Sequence, residues 1–165
     1  MQKSKGFTLV ELVIVIVILG ILAVTAAPKF LNLAGDAKEG TLTAVEASLK
    51  SANAVIYSKS ILQGVQKTPS ANVNESGEKI AVVYGYVAAT QAAVEDVLDL
   101  DGNFTVLQGV ANSNSLFEAA DVLIYPATST APTTSTTEAE ACVLVYTAAA
   151  DATSKPTYVI NGNGC

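Results

Sequence analysis

The chain has 165 residues and a formal net charge of −6, and half of its residues are apolar while 15% are charged. It contains no His, and all nine of its basic residues are Lys. An acidic chain without Arg lacks the basic surface that nucleic-acid binding needs, and the absence of His with only two Cys removes most catalytic and transition-metal sites. We therefore expect no enzyme activity, no cofactor, no metal centre and no nucleic-acid partner.

A basic head, residues 1–6, is followed directly by an apolar run. The run from Phe7 to Ala27 is about 31 Å long as a helix, enough to cross the hydrocarbon core of a bilayer. It contains one charged residue, Glu11, and a carboxylate inside a membrane helix costs about 2.5–3.5 kcal/mol unless it has a partner. The segment predicts a membrane-spanning helix in which Glu11 has a specific task.

The heptapeptide of residues 6–12, Gly-Phe-Thr-Leu-Val-Glu-Leu, resembles the processing site of short-leader (type IVa) type IV prepilins. The resemblance implies cleavage after Gly6 and N-methylation of Phe7. Cleavage would create an ammonium on Phe7, one helical turn from Glu11, which can pair with that carboxylate in its own chain or in a neighbouring subunit. The alternative is a signal-anchored periplasmic protein in which Glu11 merely lies near the membrane interface.

Gly20 and Pro28 occupy positions where such pilins often have helix-weakening residues. Gly lowers helix propensity, and Pro removes a backbone donor and clashes with the preceding turn. We expect residues 20–28 to kink or unwind when the helix leaves the membrane. Residues 26–33 and 57–60 are also similar to the mannose-sensitive haemagglutinin (MSHA) group of major pilins.

Beyond Pro28 the sequence is amphipathic and predicts a continuation of the same helix. Apolar residues recur at alternating three- and four-residue steps, namely Leu42, Val45, Leu49, Ala52 and Ile56, with Leu31 and Ala34 upstream. We predict one helix from about Thr8 to Leu62, ended at Gln63-Gly64. Its second half is expected to bury this stripe against a sheet.

The rest of the chain predicts a small sheet. Residues 64–79 form a polar connection, Gly85 opens a helical segment over 88–98, residues 104–110 are ambiguous, and 128–137 is a Thr/Ser/Pro-rich loop. The predicted strands are Ile80–Tyr84, Asp121–Tyr125, Cys142–Thr147 and Pro156–Ile160, of which the last two form a hairpin. The fold class is α+β, with a long N-terminal helix packed on an antiparallel sheet of about four strands. The resemblance implies the pilin fold.

Two Cys residues provide a second specific signal. Cys142 opens a predicted strand and Cys165 is the last residue of the sequence. An even number of Cys in an exported domain favours a disulfide, and closing this loop is worth about 3 kcal/mol in the chain-entropy model. Type IV pilins are similar in having a C-terminal region bounded by a disulfide. Two free thiols are the alternative.

Two further features are weak candidates for sites. Residues 99–103, Asp-Leu-Asp-Gly-Asn, resemble part of a calcium loop, but the Gly is at the fourth position and no Glu follows at the twelfth. We favour a solvated acidic turn. The Ser and Thr residues of 128–137 are possible acceptors for O-linked sugars, and we favour a plain flexible loop.

The resemblance implies four regions: a leader 1–6, a transmembrane and assembly helix 7–28, an amphipathic second half 29–63 and an exported head 64–165. It implies a major pilin, a structural subunit polymerised into a helical filament for adhesion, with motility as a second use. The expected partners are copies of the chain, a prepilin peptidase/methyltransferase, the pilus assembly machinery, the inner membrane and a surface or carbohydrate ligand. The subunit would be single-pass in the inner membrane before assembly and extracellular in the pilus afterwards.

Two other classes remain open from the sequence: a pseudopilin of a type II secretion system and a membrane-anchored periplasmic enzyme. The predicted disulfide and the long Thr-rich loop favour the pilin over the pseudopilin. The enzyme lacks any set of nucleophile, base and orienting group.

Overall fold

The computed structural model describes residues 6–75, 77–109 and 111–165, and all of their side chains except those of 27–32. The predictions for leader residues 1–5 and for the side chains of Pro28 and Leu31 lie outside the described residues. The chain forms two units, Met1–Gly35 and Asp36–Cys165.

The first helix, α1, spans Leu9–Leu62 and confirms the predicted long helix. Gly64 ends it with a left-handed φ of 73°, which glycine adopts without steric cost. The Gly64 N–H donates to the Ile61 carbonyl at 3.1 Å, and the Val65 N–H donates to the Ser60 carbonyl at 2.9 Å. These bonds satisfy carbonyls that the last helical turn would otherwise leave unpaired.

The side chains of the N-terminal part of α1, up to Ala26, are not packed in a protein core. Residues Leu9–Ala26 form an 18-residue stretch with a mean hydropathy of 3.0 and no buried residue. By length and composition this stretch could cross a membrane, and it is the one such helix in the described part of the chain.

Within the second unit, α1 buries the predicted stripe. Leu42, Val45, Leu49 and Ile56 are buried, whereas Ala52 is only partly buried. Ala34, predicted to lie in the same register, is exposed. The helix also buries Asn53 and Ser60, two polar residues that the apolar pattern does not include.

The predicted single sheet of about four strands is wrong in one respect, because the structure has two antiparallel sheets. The first contains β1 (Ala71–Glu75), β2 (Glu78–Val83) and β3 (Tyr86–Val87) in that order. The second contains β4 (Phe104–Gln108), β5 (Val122–Pro126), β6 (Val143–Thr147) and β7 (Thr157–Asn161), also in chain order. The α+β class is confirmed.

Strand β1 lies within residues 64–79, which were predicted to be a connection. Its sequence is mostly polar, and only Val73 is buried. Val73 lies opposite Ile80 of β2, so that one apolar pair faces the core. A strand with one buried residue gives no alternating apolar pattern in the sequence. Residues 71–75 form a strand because their backbone pairs with β2.

Gly85 belongs to a hairpin and does not open a helix. Val83 pairs with Tyr86, so Tyr84 and Gly85 form a two-residue turn, and both have positive φ, 49° and 85°. This is the backbone of the tight turns that suit twisted hairpins. A Cβ at Gly85 would lie 2.9 Å from Gln66 Cα, so the position also needs glycine for space.

The predicted helix over 88–98 is shorter in the structure. Helix α2 spans Gln91–Val97 and is capped by Thr90, whose side chain accepts from the Ala93 N–H at 3.3 Å. Thr and Ser are preferred at this position because their oxygen pairs an otherwise free backbone donor. The cap therefore sets where the helix begins.

The two central strands of the four-stranded sheet, β5 and β6, are buried on both faces. Val122, Ile124, Leu144 and Tyr146 pack in the main core with α1, α2 and the first sheet. The alternate residues Leu123, Tyr125, Val143 and Val145 form a second cluster with Phe117. Because side chains alternate along a strand, burial on both faces explains the near-continuous apolar sequences of β5 and β6.

Candidate functional site

The residues predicted to carry the function lie at the beginning of α1. Gly6 and Phe7 precede the helix, and Phe7 is 84% exposed. Glu11 lies in the first helical turn. The bond between Gly6 and Phe7 is thus outside the helix and accessible, as a peptidase requires.

Thr8 and Glu11 cap the helix by bonding to each other. The Thr8 N–H and the Thr8 hydroxyl each donate to Glu11 Oε2 at 2.8 Å. The Glu11 N–H donates in return to Thr8 Oγ1 at 3.3 Å. In this capping box, two backbone donors of the first turn are satisfied reciprocally, and the carboxylate lies at the positive end of the helix dipole. Glu11 therefore has partners within its own chain.

Thr8 is the residue that the sequence interpretation missed. The signal was present, because Thr followed three residues later by Glu, before an apolar run, is typical of a helix N-terminus. The predicted pair between Phe7 and Glu11 needs the ammonium that only cleavage after Gly6 creates. That pair stays a prediction, and Thr8 is the group that holds the carboxylate in the uncleaved chain.

The apolar stretch that follows contains two interruptions. A Cβ at Gly20 would meet no atom within 4 Å, so nothing in the chain itself requires glycine there. Thr25 donates its hydroxyl to the Leu22 carbonyl at 3.0 Å, which satisfies this polar group within the helix. The backbone is helical through both Gly20 and Pro28, so the predicted kink or unwinding during assembly stays a prediction.

The predicted disulfide between Cys142 and Cys165 is present. It closes a 23-residue separation that includes the β6–β7 hairpin, in which Val143 pairs with Asn161. The Gly164 N–H donates to the Ala141 carbonyl at 2.8 Å. A Cβ at Gly164 would lie 2.1 Å from the Glu140 carbonyl oxygen, so glycine is required for the chain to reach the bond.

Residues 99–103 form a turn between α2 and β4. Asp101 and Gly102 have positive φ of 46° and 71°, and the Asn103 N–H donates to the Leu100 carbonyl at 2.9 Å. Throughout the described residues, no group of three or more His, Cys, Asp or Glu side chains is placed to hold a metal ion. The geometry therefore gives no support to a calcium site here.

The Thr-rich loop of residues 128–137 has neither helix nor strand, as predicted. It is fixed from one side by Asn112, whose amide donates to the Thr133 carbonyl at 3.2 Å and to the Thr136 carbonyl at 3.0 Å. Pro132 of this loop is buried.

Comparison with known proteins gives one family match and two relatives. Residues 1–27 match the prokaryotic N-terminal methylation motif. The chain is 47% identical over 54 residues to the type IV narrow pilus major component PilA5 of Thermus thermophilus, a match that covers 33% of this chain and 47% of the relative. It is 30% identical over 122 residues to the fimbrial protein EcpC of Eikenella corrodens, covering 69% of this chain and 80% of the relative.

The extent of these matches differs. The chain spans about half the length of the Thermus pilus component, and the match to the Eikenella fimbrial protein extends into the head. No solved structure matches the chain significantly.

Proposed function

Since the chain belongs to the type IV pilin family of fimbrial subunits, we propose that it is a major pilin, polymerised into a surface filament for attachment. The pilin family is structural rather than enzymatic. The observation that carries the proposal is the exposed apolar stretch Leu9–Ala26, capped at its N-terminus by Thr8 and Glu11. Such a helix needs an apolar environment, first a membrane and then the helices of other subunits.

Processing is the first step of the proposal. The methylation motif over residues 1–27 supports recognition by a prepilin peptidase/methyltransferase, which would cut between Gly6 and Phe7 and methylate the new N-terminus. The cut leaves Phe7 and Thr8 as the only residues before the helix begins at Leu9. The new ammonium would then lie next to the capped carboxylate of Glu11.

Assembly by the pilus machinery is the second step. We propose that Glu11 pairs with the Phe7 ammonium of a subunit already in the filament, because opposite charges attract strongly where water is excluded. The capping box modifies this mechanism. Before assembly, while the subunit is in the membrane, Thr8 would donate two hydrogen bonds to Glu11, so the carboxylate would already have a partner there. The incoming ammonium would add to these bonds or replace the hydroxyl.

The proposed layout keeps the four predicted regions. Residues 1–6 would be the leader, 7–28 the transmembrane and assembly helix, 29–63 its amphipathic second half, and 64–165 the exported head with the Cys142–Cys165 bond. The subunit would be single-pass in the inner membrane before assembly and extracellular in the filament. Placement in the MSHA group is a finer proposal that rests on residues 26–33 and 57–60.

The alternative function, a pseudopilin of a type II secretion system, is not favoured. Both relatives carry the names of pilus or fimbrial components.

The test is microscopy of sheared surface filaments with intact-mass analysis of their subunit. We expect the mass of a chain that begins at Phe7 with one N-methyl group and lacks residues 1–6. Assembled subunits that retain Lys3 and Lys5 would contradict the proposed processing. The absence of this chain from filaments would contradict the proposed function.

A further inference from the structure

The head contains an open cleft that the filament function does not use. It has a volume of about 560 Å³ and is lined by α1, β3 and the segment that leads into β7. The residues that matter for its chemistry are Lys50, Asn53, Tyr57, Tyr86, Lys155 and Tyr158. Small-ligand sites in proteins have volumes of about 300–1,000 Å³, so the cleft is large enough for one or two sugar rings.

Hydrogen bonds from the buried Asn53 hold part of the aromatic lining of the cleft in place. Asn53 is 3% exposed and donates its amide to the Tyr158 hydroxyl at 2.8 Å and to the Tyr146 hydroxyl at 3.2 Å. Its carbonyl oxygen accepts from the Val87 N–H at 2.8 Å. Tyr146 in turn donates to the Val87 carbonyl at 2.5 Å. The hydrogen bond from the buried Asn53 thus fixes the position of the Tyr158 ring, which reduces the ordering cost of binding a ligand.

A pair of stacked tyrosines forms another part of the wall of the cleft. The rings of Tyr57 and Tyr86 stack with their centroids 4.5 Å apart and 14° between their planes. The rings are only partly buried. The electron-rich face of such a ring attracts the polarised C–H groups on the apolar face of a pyranose.

Two donors at the cleft, the Tyr158 hydroxyl and the Lys155 ammonium, have no acceptor among the described residues. The Tyr158 hydroxyl accepts from Asn53, and its own O–H has no acceptor among the described residues. Burial raises the pKa of Tyr158 to about 12, so this hydroxyl keeps its proton at neutral pH. Lys155 is exposed and forms no ion pair in the part of the chain that the structure describes. Lys50 differs, because it pairs with Glu46 and lies 5.2 Å from the centroid of the Tyr158 ring.

We propose that this cleft binds an acidic saccharide, a pyranose whose carboxylate is received by Lys155 and the Tyr158 hydroxyl and whose apolar face lies against tyrosine. Of the two lysines at the cleft, Lys50 pairs with Glu46 and only Lys155 has no ion pair among the described residues, which suits one carboxylate better than a polyphosphate backbone. Donor geometry and charge favour the acid over a neutral sugar, because hydrogen bonds to ionised groups are about twice as strong as neutral ones. The inference goes beyond the filament function and does not depend on it.

The experiment uses the full chain in detergent micelles and a panel of oligosaccharides ending in glucuronate, galacturonate or N-acetylneuraminate. Each probe is paired with its carboxyl-reduced counterpart, which has the same ring and a hydroxymethyl group. Binding is measured by calorimetric titration. We expect at least one acid to bind, and its reduced counterpart to bind about tenfold more weakly.

Three variants locate the site. Lys155→Gln and Tyr158→Phe are each expected to weaken binding of that acid about three- to tenfold. Lys79→Gln removes an exposed lysine on β2 that does not line the cleft, and it is expected to change nothing. Tyrosine near-UV circular dichroism of each variant checks that the head is folded.

Several outcomes would overturn the proposal. These are failure of every acid to bind, equal binding of an acid and its reduced counterpart, or unchanged affinity in both Lys155→Gln and Tyr158→Phe. Binding of a single-stranded oligonucleotide, lost in Lys155→Gln, without binding of any saccharide would assign the cleft to nucleic acid instead. A loss of filaments in Lys155→Gln with unchanged saccharide affinity would assign it to contacts between subunits.

Discussion

The apolar side chains of residues 9–26 differ in burial from those in the core that the head forms with the second half of α1. Leu, Val and Ile residues of the first group are 44–78% exposed, whereas Leu42 and Leu49 of α1 and Leu123 and Leu144 of the head are 0% exposed. Both groups consist of the same residue types. The head therefore completes its core within one chain, and residues 9–26 need apolar partners that the chain does not supply.

The polar groups of the two regions also differ, in the sequence distance to their hydrogen-bond partners. In the second unit, the buried Asn53 of α1 bonds to two tyrosines and a backbone N–H far away in sequence. In the first unit, Glu11 bonds only to Thr8, three residues away, among the described residues. Substitutions in the first unit should thus affect filament assembly, and substitutions in the second should affect its folding stability. Tyrosine signals distinguish the two effects. All six Tyr lie at or beyond residue 57, so tyrosine signals report on the second unit, Asp36–Cys165, even in the full chain.

The largest effect is expected from Glu11→Ala. Removing one member of a buried charge pair costs about 3–5 kcal/mol, because its partner is left unpaired. We expect filaments to be abolished or sharply reduced, while expression, membrane insertion and cleavage after Gly6 are retained. Counting filaments by electron microscopy in a strain without wild-type subunits measures the effect. Normal filament numbers would contradict the assembly role of Glu11.

Thr8→Val provides the matched control for this variant. It removes the hydroxyl that accepts from the Glu11 N–H, a cap worth about 0.5–2 kcal/mol to the helix, and keeps the Glu11 carboxylate and its bond from the residue 8 N–H. If Glu11 acts mainly between subunits, Thr8→Val should still form filaments. If Thr8→Val is as defective as Glu11→Ala, the cap itself is the essential feature.

Loss of the disulfide should destabilise the head by a smaller amount. Cys165→Ser opens the loop around the β6–β7 hairpin and should lower the free energy of unfolding by about 2–4 kcal/mol. Fewer filaments should follow, although membrane insertion through residues 9–26 should be unchanged. Denaturant unfolding followed by tyrosine circular dichroism measures this. Equal unfolding midpoints with and without the bond would refute the prediction.

Asn53→Ala should destabilise the same region by a comparable or slightly smaller amount. The change leaves the buried Val87 N–H without its acceptor and removes both tyrosine contacts, a loss of about 2–3 kcal/mol. Asn72→Ala, an exposed residue of β1, is the control and should have little effect. A stability of Asn53→Ala equal to that of the control would mean that the network does not hold the head together.

The smallest effect is expected from Asp151→Asn. Hydrogen bonds from the Thr153 hydroxyl and the Thr153 and Ser154 N–H groups lower the pKa of the Asp151 carboxyl below its ordinary 3.8. A lowered folded-state pKa stabilises the head above the unfolded-state value, and this contribution disappears as the pH falls through the folded-state value. Asp151→Asn should therefore show a slightly weaker fall in stability below about pH 4 than the wild type. The measurement is tyrosine-monitored unfolding at several pH values below 4. An equal fall in stability of Asp151→Asn and of the wild type would contradict this prediction.

Much of the fold could be predicted from sequence where one local signal was strong. The length of α1 follows from its apolar run, its amphipathic stripe and Gly64, and the β6–β7 hairpin follows from two apolar segments. The failures have a common cause. Strand β1 has one buried residue, and the turn at Tyr84-Gly85 has a sequence that also suits a helix start, so both were decided by pairing with β2.

The two candidate sites also differ in how far the sequence could predict them. Residues 6–12 carry the predicted processing and assembly chemistry in consecutive positions, and even Thr8, which was missed, had its signal three residues from Glu11. The cleft around Tyr158 had no such signal. Its lining comes from residues 50–58, 86 and 155–158, which only the folded head brings together.

The sequence by itself determined the class of this protein, because periodicity, caps and the N-terminal heptapeptide act over one or two helical turns and need no distant partner. It also determined that Cys142 and Cys165 were available to bond. Only the tertiary structure decided how many sheets form, which polar residues are buried and where the aromatic cleft lies. Those outcomes depend on contacts such as Asn53 with Tyr158, 105 residues apart, whose geometry no local pattern specifies.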